Sequence, residues 1–391
     1  MSEHVIPYGR HDISQADIDA VIEVLRSDRL TQGPAVPAFE RAVAEKCGAA
    51  HAVAANSATS ALHLACLALD VGPGDTAWTS PNTFVASANC ARYCGAVVDF
   101  VDIDPHTWCM SVESLRHKLA NAKKARAILP NVVIPVLFAG QSCDMEAIAK
   151  LATEYGFRII EDASHAIGGA YKDEPVGNCR YSDITVFSFH AVKIITTGEG
   201  GMALTNSAEI AERMERLRAH GITRDPDKLT HPPDGPWYYE QIELGFNYRM
   251  TDIQAALGLS QLERLDSYIE RRNTLARRYD HALRDLPLQL PTVQVENRSA
   301  FHVYVVRLKP SATDKAHRRV FESLRQRSIG VNLHYMPVHL QPYYRGLGFA
   351  PGQYPEAEAH GKEAITLPMY SALTDQQQDQ VVDSLQRVLR C

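Results

Sequence analysis

The sequence predicts an α/β protein, with a large α/β/α unit around a mostly parallel sheet and a smaller C-terminal α+β unit. Three observations carry that prediction. From residue 51 to about residue 190, short β-branched and apolar runs alternate with helical stretches, as parallel strands require when each returns through a crossover helix. Beyond about residue 300 the pattern changes to strands, an aromatic loop and a terminal helix. No GxGxxG opens the first strand–helix unit, so the chain does not read as a nicotinamide-binding fold.

At 391 residues, with 45% apolar and 22% charged residues, the chain has the make-up of a globular protein large enough for two domains. A net charge of −6 without a basic cluster argues against nucleic acid as a partner. The opening Met1 to Pro7 has neither a basic nor an apolar targeting stretch, and no apolar run approaches the roughly 20 residues that span a bilayer. The expectation is a cytoplasmic protein with no membrane partner. Its eight cysteines include no CxxC pair, and Cys90 and Cys94 are the one close pair. They read as buried small hydrophobes in a reducing compartment, and no metal site is expected.

In chain order, residues 12–26 form a helix with Ile18, Val21, Ile22 and Leu25 on one apolar face and Ser14 with Asp17 as its cap. Leu30-Thr31-Gln32-Gly33-Pro34 is a turn, and a second helix covers 35–47. His51 to Ala55 is a strand, and Asn56-Ser-Ala-Thr-Ser60 starts the next helix. Those small polar residues cap the helix, and their free N–H groups at its positive end also suit a phosphate. Strands follow at 76–80, 96–101, 127–137 and 157–161, with helices at 84–93, 111–121 and 145–155 between them. Ligand loops lie at strand C-ends in such folds, which singles out Thr79 to Phe84, Ala139-Gly140-Gln141 and Glu161-Asp162-Ala-Ser-His165. Ile184 to Phe189 is a further buried strand, ending at Ser188, His190 and Lys193 before a Thr-Thr-Gly-Glu-Gly-Gly turn. Residues 203–218 read as a helix, 225–236 as a lid or interface loop, and 250–284 as one long helix. The strands 302–308 and 330–333, the helix 314–327, the loop His334 to Tyr344 and the helix 374–389 complete the chain. The boundary is placed within the long helix, giving a large domain of 1–260 and a small one of 261–391. His334 and His339 invite a metal reading, but Pro337 between them prevents helical ligand spacing.

The chemistry centres on Lys193. An amine on a short loop off a buried strand is poorly hydrated, which lowers its pKa and lets it attack a carbonyl as a free base. A lone lysine there could equally reach solvent, and Asp162 after its buried strand could merely cap a helix. Together, a phosphate turn, a strand-end aromatic, a buried strand-end carboxylate, Ser188 and a lysine meet the demands of pyridoxal 5'-phosphate.

These segments resemble the DegT-type sugar aminotransferases, along with Gly245-Phe-Asn247-Tyr-Arg249 and His334-Tyr335-Met336-Pro337-Val-His339. The resemblance covers nearly the whole chain. It implies the pyridoxal-phosphate fold of type I, with Lys193 as the Schiff-base lysine and proton shuttle. It implies Asp162 as partner of the pyridine nitrogen and Phe84 as the stacking ring. Ala58, Thr59 and Ser188 would hold the phosphate, and His165 stands where many relatives have Gln. It further implies a homodimer in which the neighbour supplies Asn247 and Arg249. Tyr8, the turn Asp28, Arg29, Leu30 and Thr31, and His334, Tyr335, Met336 and Pro337 match positions lining the sugar-nucleotide site. The implied partners are L-glutamate and a nucleotide-linked keto-sugar, specifically a UDP-4-keto-6-deoxy-N-acetylhexosamine aminated at C4. A different UDP- or dTDP-sugar and a non-catalytic regulator are the alternatives. Dehydratase relatives, which replace the lysine or bind an iron–sulfur cluster, do not match Lys193 and the scattered cysteines.

Overall fold

The structure, a computed structural model, describes residues 5–309 and 315–390. Met1 to His4, Asp314 at the start of the expected 314–327 helix, and Cys391 lie outside the described residues. Seven strands form the main sheet: β1 (His51–Ala55), β2 (Thr76–Thr79), β3 (Val97–Phe100), β4 (Val132–Ile134), β5 (Arg158–Asp162), β6 (Ile184–Ser188) and β7 (Gly201–Thr205). Their order is β1-β7-β6-β5-β4-β2-β3. β7 alone runs against its neighbours β1 and β6, and the others are parallel. β4 to β7 are buried almost throughout, as strands with helices on both faces must be.

The connecting helices begin where short polar side chains can cap them. α1 (Gln15–Arg26) carries the Ser14/Asp17 capping box, and α2 (Ala35–Cys47) ends on a left-handed Gly48. α3 (Ala58–Ala68) is capped by Ser57, whose hydroxyl accepts from Ser60 N. α4 (Ala86–Tyr93), α5 (Val112–Ala125), α6 (Met145–Tyr155) and α7 (Ala208–Leu217) complete the layers. α8 (Asp252–Leu262) and α9 (Leu265–Leu283) follow. The C-terminal part holds a small antiparallel sheet, β8 (Leu288–Gln289), β9 (Tyr304–Leu308) and β10 (Ala364–Leu367), packed with α10 (Lys315–Gln326) and the terminal helix Asp375–Arg390. α9 links the parts: Leu265, Tyr268 and Ile269 enter the core of the main sheet, while Leu275, Tyr279 and Leu283 enter the core of the small one.

Several expectations are corrected. The span 203–218 is not one helix. Met202 to Thr205 complete the β7 ladder, and Ser207 then caps α7. The 250–284 helix breaks where Arg264 leaves helical φ/ψ. There its guanidinium, with Ser260 and Gln261, reaches the buried Asp17. Residues 330–333 form only a single bridge, Asn332 to Thr366, and the third small-sheet strand is β10. Ala364-Ile-Thr-Leu follows a helix without an intervening turn residue, which hid it. The apolar face of α1 is only partly covered by this chain, since Val21 and Ile22 are half-buried while Ile18 and Leu25 are 44% and 55% exposed. Its packed side is the polar one, built on Asp17. Helix α4 starts after Phe84, which precedes it.

Candidate active site

Strand register assembles the site. Asp162 at the C-end of β5 pairs with Val186, so the ends of β5 and β6 lie side by side. Gly201, the first residue of β7, pairs with both Ala55 and Ser188, bringing the β1–α3 turn against the end of β6. That approach needs glycine, because a Cβ on Gly201 would lie 2.4 Å from Ala58 N and 2.5 Å from Ser57 C.

The strand ends open on a cavity of about 460 Å³. Its wall includes Tyr8, Ser57, Ala58, Thr59, Phe84, Asp162, His165, Ser188, Lys193, His334 and Tyr335. At one end, Ala58 and Thr59 present first-turn N–H groups that no intrahelical carbonyl can satisfy, beside the Ser57 and Ser188 hydroxyls. Asp162 is buried in the wall. Its Oδ2 accepts from Ser87 Oγ at 2.5 Å, and its Oδ1 accepts from Ser164 Oγ at 2.6 Å and Ser164 N at 3.1 Å. Those bonds fix the carboxylate's position. Burial of Lys193 lowers its amine to about 7, against the opposing pull of Asp162. Phe84, 59% exposed, also lines the cavity, with its ring centroid 6.4 Å from that of Tyr335.

Three imidazoles, His165, His302 and His334, line the same cavity as the amine. His165 Nδ1 accepts from Ala139 N at 3.3 Å, and its Nε2 lies 3.1 Å from Tyr335 Oη. Burial first, then the Lys193 and His334 charges, hold His165 well below the usual histidine range. Neutral His165 with a backbone donor on Nδ1 carries its proton on Nε2 and donates it to Tyr335. His334 bonds Thr366 Oγ1 through Nδ1 at 2.8 Å, and burial pushes it down to about 4. His302 packs on His165 with ring centroids 4.5 Å apart.

Other predicted positions fall elsewhere. Asp28, Arg29, Leu30 and Thr31 form an exposed turn after α1 and do not line this cavity, and neither do Met336 and Pro337. The turn is tied to the start of α8, where Asp252 accepts from Gly33 N and Ala35 N at 2.8 Å each. Asn247 is exposed, Arg249 is half-buried, and neither lines the cavity of its own chain. His334 and His339 turn to separate partners, Thr366 and Glu358, and among the described residues no group of three His, Cys, Asp or Glu could hold a metal. None of the described helices is long and apolar enough to cross a membrane. Sequence reading missed His302, Asn332 and Ser164 in the wall. The signal for His302 was a polar residue heading an otherwise apolar strand.

Residues 11–386 match the DegT/DnrJ/EryC1/StrS aminotransferase family. The chain belongs to that family. It is 37% identical to SpsC, a spore coat polysaccharide biosynthesis protein of Bacillus subtilis, over 99% of this chain and 98% of that protein. Among solved structures it is similar to PseC of Helicobacter pylori, an aminotransferase of pseudaminic acid biosynthesis. The TM-score is 0.89 at 30% identity, covering 99% of both chains. The PLP form of Spr1654 from Streptococcus pneumoniae also scores 0.89, at 31% identity over 99% of both chains, and that protein has been solved with PMP as well. The chain is thus a sugar aminotransferase of this family, and pyridoxal phosphate is its cofactor. The cavity suits that group, since its wall holds a phosphate cradle that a Cβ on Gly201 would fill, a fixed carboxylate and an amine lowered by burial.

Proposed function

We propose that this protein transfers the amino group of L-glutamate to C4 of a UDP-4-keto-6-deoxy-N-acetylhexosamine, UDP-2-acetamido-2,6-dideoxy-β-L-arabino-hex-4-ulose. The product is UDP-4-amino-4,6-dideoxy-N-acetyl-β-L-altrosamine, a precursor in pseudaminic acid synthesis. The observation that carries the reaction is Lys193 in one cavity with Asp162 and the Ala58–Thr59 turn. Likeness to PseC over the full chain supports the sugar. SpsC is more alike in sequence, which favours as second reading another UDP- or dTDP-keto-sugar.

Bound pyridoxal phosphate supplies an electron sink for the carbon that loses a proton. The chain does the rest. Ala58, Thr59 and Ser188 would hold the phosphate, Asp162 would keep a proton on the ring nitrogen, and Phe84 would cover the ring. Lys193 Nζ takes the α-proton of glutamate and later delivers one to sugar C4. Tyr8, whose ring centroid lies 5.7 Å from that of His334, shapes the sugar side with Tyr335. The turn 28–31, Met336 and Pro337 extend the nucleotide site. A second copy covers the exposed part of α1 and brings its Asn247 and Arg249 to the cavity, a reading supported by neither residue lining the cavity of its own chain. Residues 1–260 form the cofactor-binding domain and 261–391 the smaller one. The test is an amino-transfer screen with L-glutamate against UDP- and dTDP-4-keto-6-deoxy sugars, with products identified by NMR. Amination of the UDP-N-acetylhexosamine is the expected result, and exclusive turnover of a dTDP-sugar would overturn the substrate assignment.

A further inference from the structure

We propose that His360, which lies outside the cavity wall, is a positioning residue for amino transfer: its ring N–H holds the His334–Tyr335 peptide and so sets the Tyr335 hydroxyl against His165. The inference deepens the transaminase reading above and rests on it.

Tyr335 sits on a loop, and a loop side chain is only as well placed as the groups that tie its backbone. Its hydroxyl accepts from His165 Nε2 at 3.1 Å, so its own proton stays free for a guest in the cavity that it lines. That contact fixes where the Tyr335 backbone must stand relative to the C-end of β5, which leads into His165. The peptide before Tyr335 is held at both of its polar atoms. Tyr335 N donates to Asn82 Oδ1 at 3.3 Å, and Asn82 Nδ2 donates to Trp108 O at 3.2 Å. The His334 carbonyl lies 2.9 Å from His360 Nε2. Asn82 and His360 are both buried, so water does not compete for either tie.

A carbonyl can only accept, which places the His360 proton on Nε2. Nδ1 keeps a lone pair and finds no partner among the described residues, and an unused lone pair is cheaper to bury than an orphaned N–H. Burial pushes the ring down to about 3 against the pull of its carbonyl bond, so it stays neutral near pH 7. Packing fixes its orientation. The Trp108 ring lies 5.2 Å away, and the Phe138 ring meets it edge-on at 5.4 Å. Phe138 also meets Tyr335 edge-on, at 6.2 Å.

The element that carries His360 is anchored to the main sheet. The helix Pro355–Glu363 starts with proline at its first position. The N–H groups of Glu356 and Ala357 donate to Asp102 Oδ2 at 3.0 Å and Oδ1 at 2.9 Å, just beyond β3. Beside His360, Gly361 lets Pro337 close on the helix, since a Cβ there would lie 2.6 Å from Pro337 Cδ. His360 thus ties the Tyr335 loop to a helix that the sheet holds. Phenylalanine would fill the same space, and what it lacks is the N–H.

The experiment uses the pyridoxal-loaded protein as wild type, His360→Phe, His360→Gln, Tyr335→Phe and the double variant His360→Phe with Tyr335→Phe, each checked by a thermal melt. Steady-state kinetics give kcat/KM for the UDP-4-keto-6-deoxy-N-acetylhexosamine with L-glutamate as donor, or for the dTDP-sugar if the screen above selects it. Tyr335→Phe should lower kcat/KM about tenfold. His360→Phe should lower it by a similar factor, because a hydroxyl moved out of reach is worth no more than one removed. The double variant should match Tyr335→Phe to within about twofold, whereas independent losses would multiply to about 100-fold. His360→Gln, which keeps an N–H donor, should recover most of the loss. Asn82→Ala frees the other polar atom of the same peptide, should show the same lack of additivity with Tyr335→Phe, and decides the matter if His360→Phe does not fold. Multiplied losses, an unaffected Tyr335→Phe or His360→Phe, or a His360→Gln no better than His360→Phe overturn the proposal. A wild-type protein that aminates no keto-sugar refutes the transaminase reading itself, and this inference with it.

Discussion

Gly201→Ala tests the phosphate cradle with a single methyl. The added Cβ would sit 2.4 Å from Ala58 N, 2.5 Å from Ala58 Cα and 2.5 Å from Ser57 C. Relaxed contacts need about 3.5 Å, so β7 or the β1–α3 turn must yield by about 1 Å. Both sides are backbone, and β7 is held by ladders to β1 and β6. The yielding side is the turn, whose Ala58 and Thr59 N–H groups are to hold the phosphate. Overpacking of this kind costs about 1–3 kcal/mol of stability, and a 1 Å displacement at a positioned group can cost about 100-fold in function. The expectation is a protein that melts as a folded unit, binds pyridoxal 5'-phosphate 10- to 100-fold more weakly by this estimate, and binds unphosphorylated pyridoxal as the wild type does. Absorbance titration with both ligands, beside a thermal melt, makes the measurement. Equal weakening for both ligands, or none for either, refutes the reasoning.

Further outcomes follow from the same geometry. Asp162→Asn keeps the bonding positions of Ser87 and Ser164 but removes the charge, so single-turnover amino transfer should fall about 100-fold or more. Because its removal also takes away the pull that raises Lys193, the pH at which the amine loses its proton should move down. In the wild type that midpoint lies at about 7. Capture of pyridoxal by the apoprotein should therefore slow about tenfold per pH unit below it and level off above it, as stopped-flow absorbance would record. Asp17→Asn should cost about 2–4 kcal/mol in urea unfolding. Burial raises the Asp17 carboxyl, but bonds from Ser260, Ser14 N and Gln261 and the Arg264 charge outweigh it and leave its pKa lowered. Its contribution is thus present above the unfolded carboxyl's value near 4 and lost as pH falls through the lower folded one.

The parts of the site that sit at strand C-ends were legible in sequence because strand and turn chemistry are local. Asp162, Ser188, Lys193 and the Ser57–Ser60 cap announce themselves within a few residues of a buried run. The antiparallel β7 was not legible. Its Met202-Ala-Leu-Thr run joins a charged helix through two residues, and only pairing with β1 and β6 decides its state. The α1 stripe failed for a different reason. Periodicity marks a face that wants burial without saying what buries it, and in this chain α8 meets the polar side through Asp17. His302 hid because its one local signal, a polar residue heading an apolar strand, does not separate a histidine that lines a cavity from one that fills a core. Asp28 to Thr31, Asn247 and Arg249 match family positions, yet their own chain keeps them out of the cavity wall.

The central claim is that Lys193 is the amine that carries the chemistry. The direct measurement is borohydride reduction of the pyridoxal-loaded protein, followed by proteolysis and mass mapping of the pyridoxyl label. The account predicts one label, on Lys193, and a Lys193→Ala variant that is folded, colourless and unable to transfer the amino group. A label on any other lysine, or amino transfer surviving in Lys193→Ala, would contradict it.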